Sequence, residues 1–169
     1  PILLTTGRRI PVYFHSEHRQ LPWCREIWPV PRLEMNPADA AELGLEQGDW
    51  AWIETEWGKV RQTVDLYEGI AKGWANAEHA WWYPELPAPT HGFELSCIDC
   101  IWDPNGQDKF IGSSHMRGVP VKIYKATPEN CPDGQVIPCA PEDGTPIIAD
   151  ASDPRLKEWL PNYDIREEA

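Results

Sequence analysis

Two groups of residues in this chain carry chemistry. The first lies near its start, where Thr6-Gly7-Arg8-Arg9 is followed by His15-Ser16. A glycine that admits close backbone approach, two guanidinium forks, and an imidazole beside a hydroxyl make a donor set for an anion, phosphate above all. Residues 1–32 carry five Arg against two Glu, a basic island in a protein of net charge −12. The second group is Cys97-Ile98-Asp99-Cys100, whose spacing suits a metal or a redox pair. Cys131 and Cys139 would bring the thiolates to four, but the seven residues between them do not fit a zinc ribbon. The sequence therefore predicts free or buried thiols that bind no zinc. Five Cys is an odd number and disfavours a closed disulfide framework.

Something must hold these groups in place, and the composition bounds what it is. A chain of 169 residues with 41% hydrophobic residues is about one domain and can bury a core without metal or disulfide staples. Twelve Gly and 18 Pro argue for many turns and short strands rather than a helical bundle. The net charge of −12 counts against sequence-independent binding of nucleic acid. No apolar run approaches the ~18 residues that span a bilayer. Pro1 leads directly into strand-like Ile-Leu-Leu, which reads as a cut inside a longer polypeptide or as a processed terminus. Ten Trp in so short a chain predict faces meant for a flat ligand or a partner surface, with Trp23, Trp28 and Trp81 or Trp82 accessible.

The elements follow from local signals. Ile2–Thr5 reads as a buried strand, and the stretch from there to Pro31 as a long loop with no sustained period, ordered by its aromatics. Leu33–Met35 alternates, and Asn36-Pro37 is an N-cap with proline at the first helical position. Ala38–Leu43 continues that helix to Gly44, and Gln47-Gly48-Asp49 turns into a strand over Trp50–Glu56. Further strands are expected at Lys59–Tyr67, Trp74–Ala77 and Val119–Tyr124. Beyond Thr127 proline is frequent and periodicity fades until a short helix at Arg155–Leu160, capped by Asp153. The pattern is a mostly-β barrel with one or two short helices. Residues 1–125 form the barrel domain, and 126–169, with ten acids and three bases, form an acidic, proline-rich extension wrapped over something else.

Read in order, Thr6-Gly7-Arg8, His15-Ser16, Met35-Asn36-Pro37-Ala38-Asp39-Ala40, Leu43-Gly44-Leu45, Gly48-Asp49, Gly58-Lys59-Val60, Gly73, His79-Ala80-Trp81-Trp82 and Pro120–Ile123 resemble the C-terminal domain of the molybdopterin oxidoreductases, the dimethyl-sulfoxide-reductase family. The resemblance covers residues 2–125. It implies a double-psi β-barrel that closes over a bis(molybdopterin guanine dinucleotide) cofactor carrying molybdenum or tungsten. It also implies a cofactor-binding set of Thr6, Gly7, Arg8, Arg9, His15, Ser16, His79, Trp81 and Arg117. Asn36-Pro37 and Gly48-Asp49 keep structural readings as a cap and a turn. An Asn-rich segment present in many members has no counterpart in Gly92-Phe93-Glu94-Leu95-Ser96, so no role is carried over there.

On this reading the chain contributes no catalytic residue and no metal ligand, and the isolated chain is not expected to turn over. Its partners are the remaining domains of a larger catalytic subunit and, beyond them, an iron–sulfur subunit. The rival reading is a stand-alone double-psi barrel subunit, or an interaction module without molybdopterin. Family members with hydratase or hydroxyl-transferase chemistry fit the same residues, because the substrate reaction is not written in such a domain.

Overall fold

Trp50-Ala51-Trp52-Ile53 is buried at all four positions, although successive strand residues point to opposite faces. Such a strand needs apolar material on both sides, and the fold supplies it with two hydrophobic clusters. Ala51 and Ile53 face the interior of a barrel with Leu4, Leu33, Met35, Val64 and Val121. Trp50 and Trp52 face outward into a second cluster with Tyr13, Trp81, Tyr83 and Ile147.

The computed structural model describes residues 1–7 and 11–158. Arg8, Arg9 and the end of the helix expected over Arg155–Leu160 lie outside the described residues. The elements, in chain order, are β1 (Ile2–Thr6), α1 (Pro22–Ile27), β2 (Arg32–Met35), α2 (Pro37–Glu42), β3 (Trp50–Thr55), β4 (Gly58–Leu66), β5 (Trp74–Ala77), α3 (Phe93–Ser96), β6 (Arg117–Lys125) and α4 (Arg155–Glu158). The strands close into a barrel in the order β1-β5-β2-β4-β3-β6. Two parallel pairs, β1 with β5 and β2 with β4, are joined by antiparallel neighbours. This is the mostly-β double-psi barrel that the sequence predicts.

Local signals explain most boundaries. The Asn36 side chain accepts a hydrogen bond from the Ala38 amide at 3.0 Å, and Gly44 ends α2 with φ of +66°. Asn36 Nδ2 also donates to the Ile70 carbonyl at 2.9 Å, tying the cap to the turn before β5. Asn36→Ala is accordingly expected to cost about 1–2 kcal/mol, read as a lower urea midpoint with an unchanged slope.

One element contradicts the reading of the 7–31 stretch as loop throughout: α1 is helical. It has no side-chain cap and only six residues, too few to show a period. Long-range contacts hold it, through buried Cys24 and Arg25. Arg25 donates to Glu85 with both terminal nitrogens, at 3.1 and 2.9 Å, to the Pro29 carbonyl and to the Ile148 carbonyl. Glu85 in turn accepts from the Ile148 amide at 2.8 Å.

The segment after β6 joins the second cluster instead of building its own. Ala126, Cys131, Ala140, Ile147, Ile148 and Leu156 are buried. Arg61 on β4 donates to the Gln135 and Val136 carbonyls, and Trp52 Nε1 donates to Asn130 at 2.9 Å.

Candidate cofactor site

At one rim of the barrel, Thr6, Gly7, His15, His79, Asp99, Met116 and Arg117 line a cleft of about 380 Å³. Three features of the chain bring them there. Where β1 ends, its pairing with β6 slips by a bulge between Leu4 and Thr5, placing Thr5 opposite Arg117. Gly7 adopts φ of +126°, which side chains rarely tolerate, and a Cβ there would lie 4.0 Å from Arg117 Nη2. A bare backbone thus sits beside a guanidinium.

His79 enters from the segment after β5. Gln62, fully buried on β4, donates to the Glu78 and Ser96 carbonyls at 2.7 and 3.0 Å and accepts from the Glu78 amide at 3.1 Å. That clamp fixes the backbone one residue before His79. The next residue, Ala80, has φ of +54° and donates its amide to Asp99 Oδ2 at 2.9 Å. The third contribution is the 11–20 loop. Its buried Arg19 donates to the His15 and Glu17 carbonyls and stacks on the Tyr13 and Trp81 rings at 4.3 and 4.8 Å. Burial lowers the Arg19 pKa, and the nearby Glu78 opposes the shift. His15 has φ of +50°, and its Nδ1 meets His79 Nε2 at 3.0 Å. One of these two nitrogens donates to the other, so the imidazoles stand as a pair. Backbones held in the left-handed region at His15 and Ala80 carry a conformational cost that concentrates at ligand sites.

A second cavity, of about 430 Å³, shares this wall and is lined by Ser16, Trp82, Thr90, His91 and Phe93 among others. Trp82 Nε1 donates to the Ser16 carbonyl at 2.6 Å, and its ring meets that of His91 at 5.6 Å.

Of the residues expected from sequence, Thr6, Gly7, His15, His79 and Arg117 meet in the cleft, and Ser16 lines the adjoining cavity. Trp81 is fully buried against Tyr13 and Tyr83, so in this structure it supports the loops from behind, and Trp82 is the more open of the pair. Trp23 is 55% exposed, while Trp28 and Trp82 are half-buried. The expectation of accessible Trp thus holds for Trp23 and not for Trp81. Asp99, Met116 and the positioning residues Gln62 and Arg19 escaped the sequence reading, although Asp99 lies inside the Cys97–Cys100 motif.

A bare glycine, paired imidazoles and a guanidinium thus meet at one rim of a closed barrel, a donor set whose chemistry suits an anionic, ring-bearing ligand. The chain belongs to the molydopterin dinucleotide binding domain family, whose description matches residues 2–99. It is 60% identical to a dopamine dehydroxylase of Eggerthella lenta over 99% of this chain and 16% of that protein. It is 31% identical to an acetylene hydratase of Syntrophotalea acetylenica over 74% of the chain and 18% of that protein. Among solved structures, the acetylene hydratase from Pelobacter acetylenicus superposes with a TM-score of 0.70 at 26% identity, covering 74% of this chain and 18% of that one. The chain therefore spans about one sixth of the length of these two curated relatives. The cofactor of this domain is a molybdopterin dinucleotide. The cleft fits it: Gly7 leaves open the space a Cβ would fill, beside a cation suited to phosphate.

No helix among the described residues is long and apolar enough to cross a membrane. Among those residues, no group of three or more His, Cys, Asp or Glu could hold a metal ion.

Proposed function

We propose that the rim cleft holds the dinucleotide through Thr6, Gly7, His15, His79 and Arg117. On this reading the Gly7 backbone and the Arg117 guanidinium take the pyrophosphate, together with Arg8 and Arg9. The His15–His79 pair and the cavity beside Ser16 and Trp82 take the flat rings, one of them guanine. The bound group supplies the molybdenum or tungsten centre of the enzyme. The chain's own residues bind and orient it and tune it through hydrogen bonds. The observation that carries this reading is the convergence of three distant segments, at residues 6–7, 15 and 79, on Arg117 in one cleft.

Residues 1–125 serve as the cofactor-holding barrel, and 126–169 as an extension whose described part, 126–158, packs on the barrel's outer face. The parent is a larger catalytic subunit whose other domains complete the site, served by an iron–sulfur partner. Similarity to the dopamine dehydroxylase of Eggerthella lenta supports a dehydroxylase reaction for that parent. Dehydroxylation by replacement of a hydroxyl with hydrogen consumes two electrons, whereas hydration consumes none. The purified full-length protein should therefore convert dopamine only with a reduced electron donor present. Cofactor-loaded protein that leaves dopamine untouched under those conditions would exclude the dehydroxylase assignment.

A further inference from the structure

Cys97 and Cys100 bracket a 3-10 turn, Ile98–Cys100, in which the Cys100 amide donates to the Cys97 carbonyl at 3.1 Å. The ends of such a turn lie within about 7 Å of each other, and disulfides span Cα separations of roughly 4.4–6.8 Å. The surroundings of the two sulfurs differ: Cys97 is buried, whereas Cys100 is exposed. Cys97 Sγ donates to Asp99 Oδ2 at 3.2 Å, and the neighbouring Cys100 side chain, burial and that carboxylate together raise its pKa. The neighbouring Cys97 side chain lowers the pKa of Cys100. An exposed attacking sulfur with a buried resolving sulfur three residues away is the arrangement of a dithiol couple.

We propose that Cys97 and Cys100 form a reversible disulfide on either side of Asp99, a residue of the rim cleft, closed by exchange with a low-molecular-weight disulfide. The Cys100 thiolate attacks one sulfur of the reagent; a new S–S bond forms as the reagent's own bond breaks and one thiolate leaves. Cys97 then loses its proton and attacks Cys100 Sγ, expelling the second thiolate. Two protein thiols are oxidised, one external disulfide is reduced, and the two protons end on the two released thiols. Closure also removes the Cys97 donor from Asp99, which lines the cleft and anchors the Ala80 amide and, at 3.4 Å, Trp102 Nε1. The redox state of the pair is thereby felt by the backbone next to His79.

The test treats the full-length protein with oxidised glutathione and examines the peptide spanning Cys97–Cys100 by mass spectrometry. The expected product is loss of two hydrogens without a glutathione adduct, reversed by a dithiol reductant. Cys97→Ser should trap a mixed disulfide on Cys100, and Cys97→Ala should do the same if serine disturbs the buried position. Cys100→Ser should leave Cys97 unmodified. An unmodified wild-type peptide would overturn the proposal, as would a stable glutathione adduct on Cys100 in wild type or equal reactivity of the two cysteine variants.

Discussion

Replacing Arg25 by alanine is expected to destabilise this chain by about 3–5 kcal/mol, the largest effect of any single substitution considered. The Arg25 and Glu85 side chains are 0% and 4% exposed and meet in a two-pronged ion pair. Removing the cation strands a buried carboxylate that, among the described residues, keeps the Ile148 amide as a donor. It also releases the Pro29 and Ile148 carbonyls. Three chain segments far apart in sequence, at α1, Glu85 and Ile148, would thus come loose together. Native domains hold only about 5–15 kcal/mol in total, so the loss is a large share of stability. Arg25→Lys keeps the charge and loses the fork, and should fall between wild type and alanine. Lys72→Ala provides the control: its pair with Glu42 is 60% and 71% exposed, and surface pairs contribute about 0–1 kcal/mol. Urea denaturation of the variants reads all three. An Arg25→Ala midpoint equal to that of Lys72→Ala would show that the pair does not tie the tail to the barrel.

The second large effect concerns the ligand. Arg117→Ala in the full-length protein should remove a charge-assisted hydrogen bond to the dinucleotide, about 1.5–3 kcal/mol. That corresponds to roughly ten- to hundredfold weaker retention of cofactor, measured as pterin and metal per protein after purification. Arg8→Ala is expected to act with the same sign and size, since Arg8 follows Gly7 directly in the Thr6-Gly7-Arg8 motif. Arg155→Ala, whose guanidinium bonds Asp153 and the Pro146 carbonyl, should leave cofactor content unchanged. Normal cofactor content in both Arg117→Ala and Arg8→Ala would remove these arginines from the site.

What could be read from sequence divides along a physical line. Asn36-Pro37, Gly44, Gly48-Asp49 and the alternation of the strands are local signals, fixed by capping chemistry, backbone freedom and side-chain period. Each appears in the structure within a residue or two of its expected place. Gly7, His15, His79 and Arg117, which the structure brings into one cleft, were legible because an ordered series of motifs and the resemblance marked them. Helix α1 was not legible, because a six-residue helix without a cap is held by Arg25 reaching Glu85 and Ile148, and no local pattern encodes that reach. Gln62 and Arg19 escaped for the same reason: their value lies in buried carbonyls supplied by distant segments. Trp81 reads like Trp82 in sequence, and only packing against Tyr13 and Arg19 distinguishes the buried ring from the open one.

Hydrogen exchange of the full-length protein, with and without its cofactor, tests the placement of the dinucleotide most directly. Backbone amides at residues 3–7, 13–16, 77–81 and 115–119 should gain protection in the loaded protein, because the proposed site is built from those segments. Protection confined to the cavity bounded by Pro1, Asp39, Glu42 and Gly73, with no change around Gly7, His15, His79 and Arg117, would contradict the assignment.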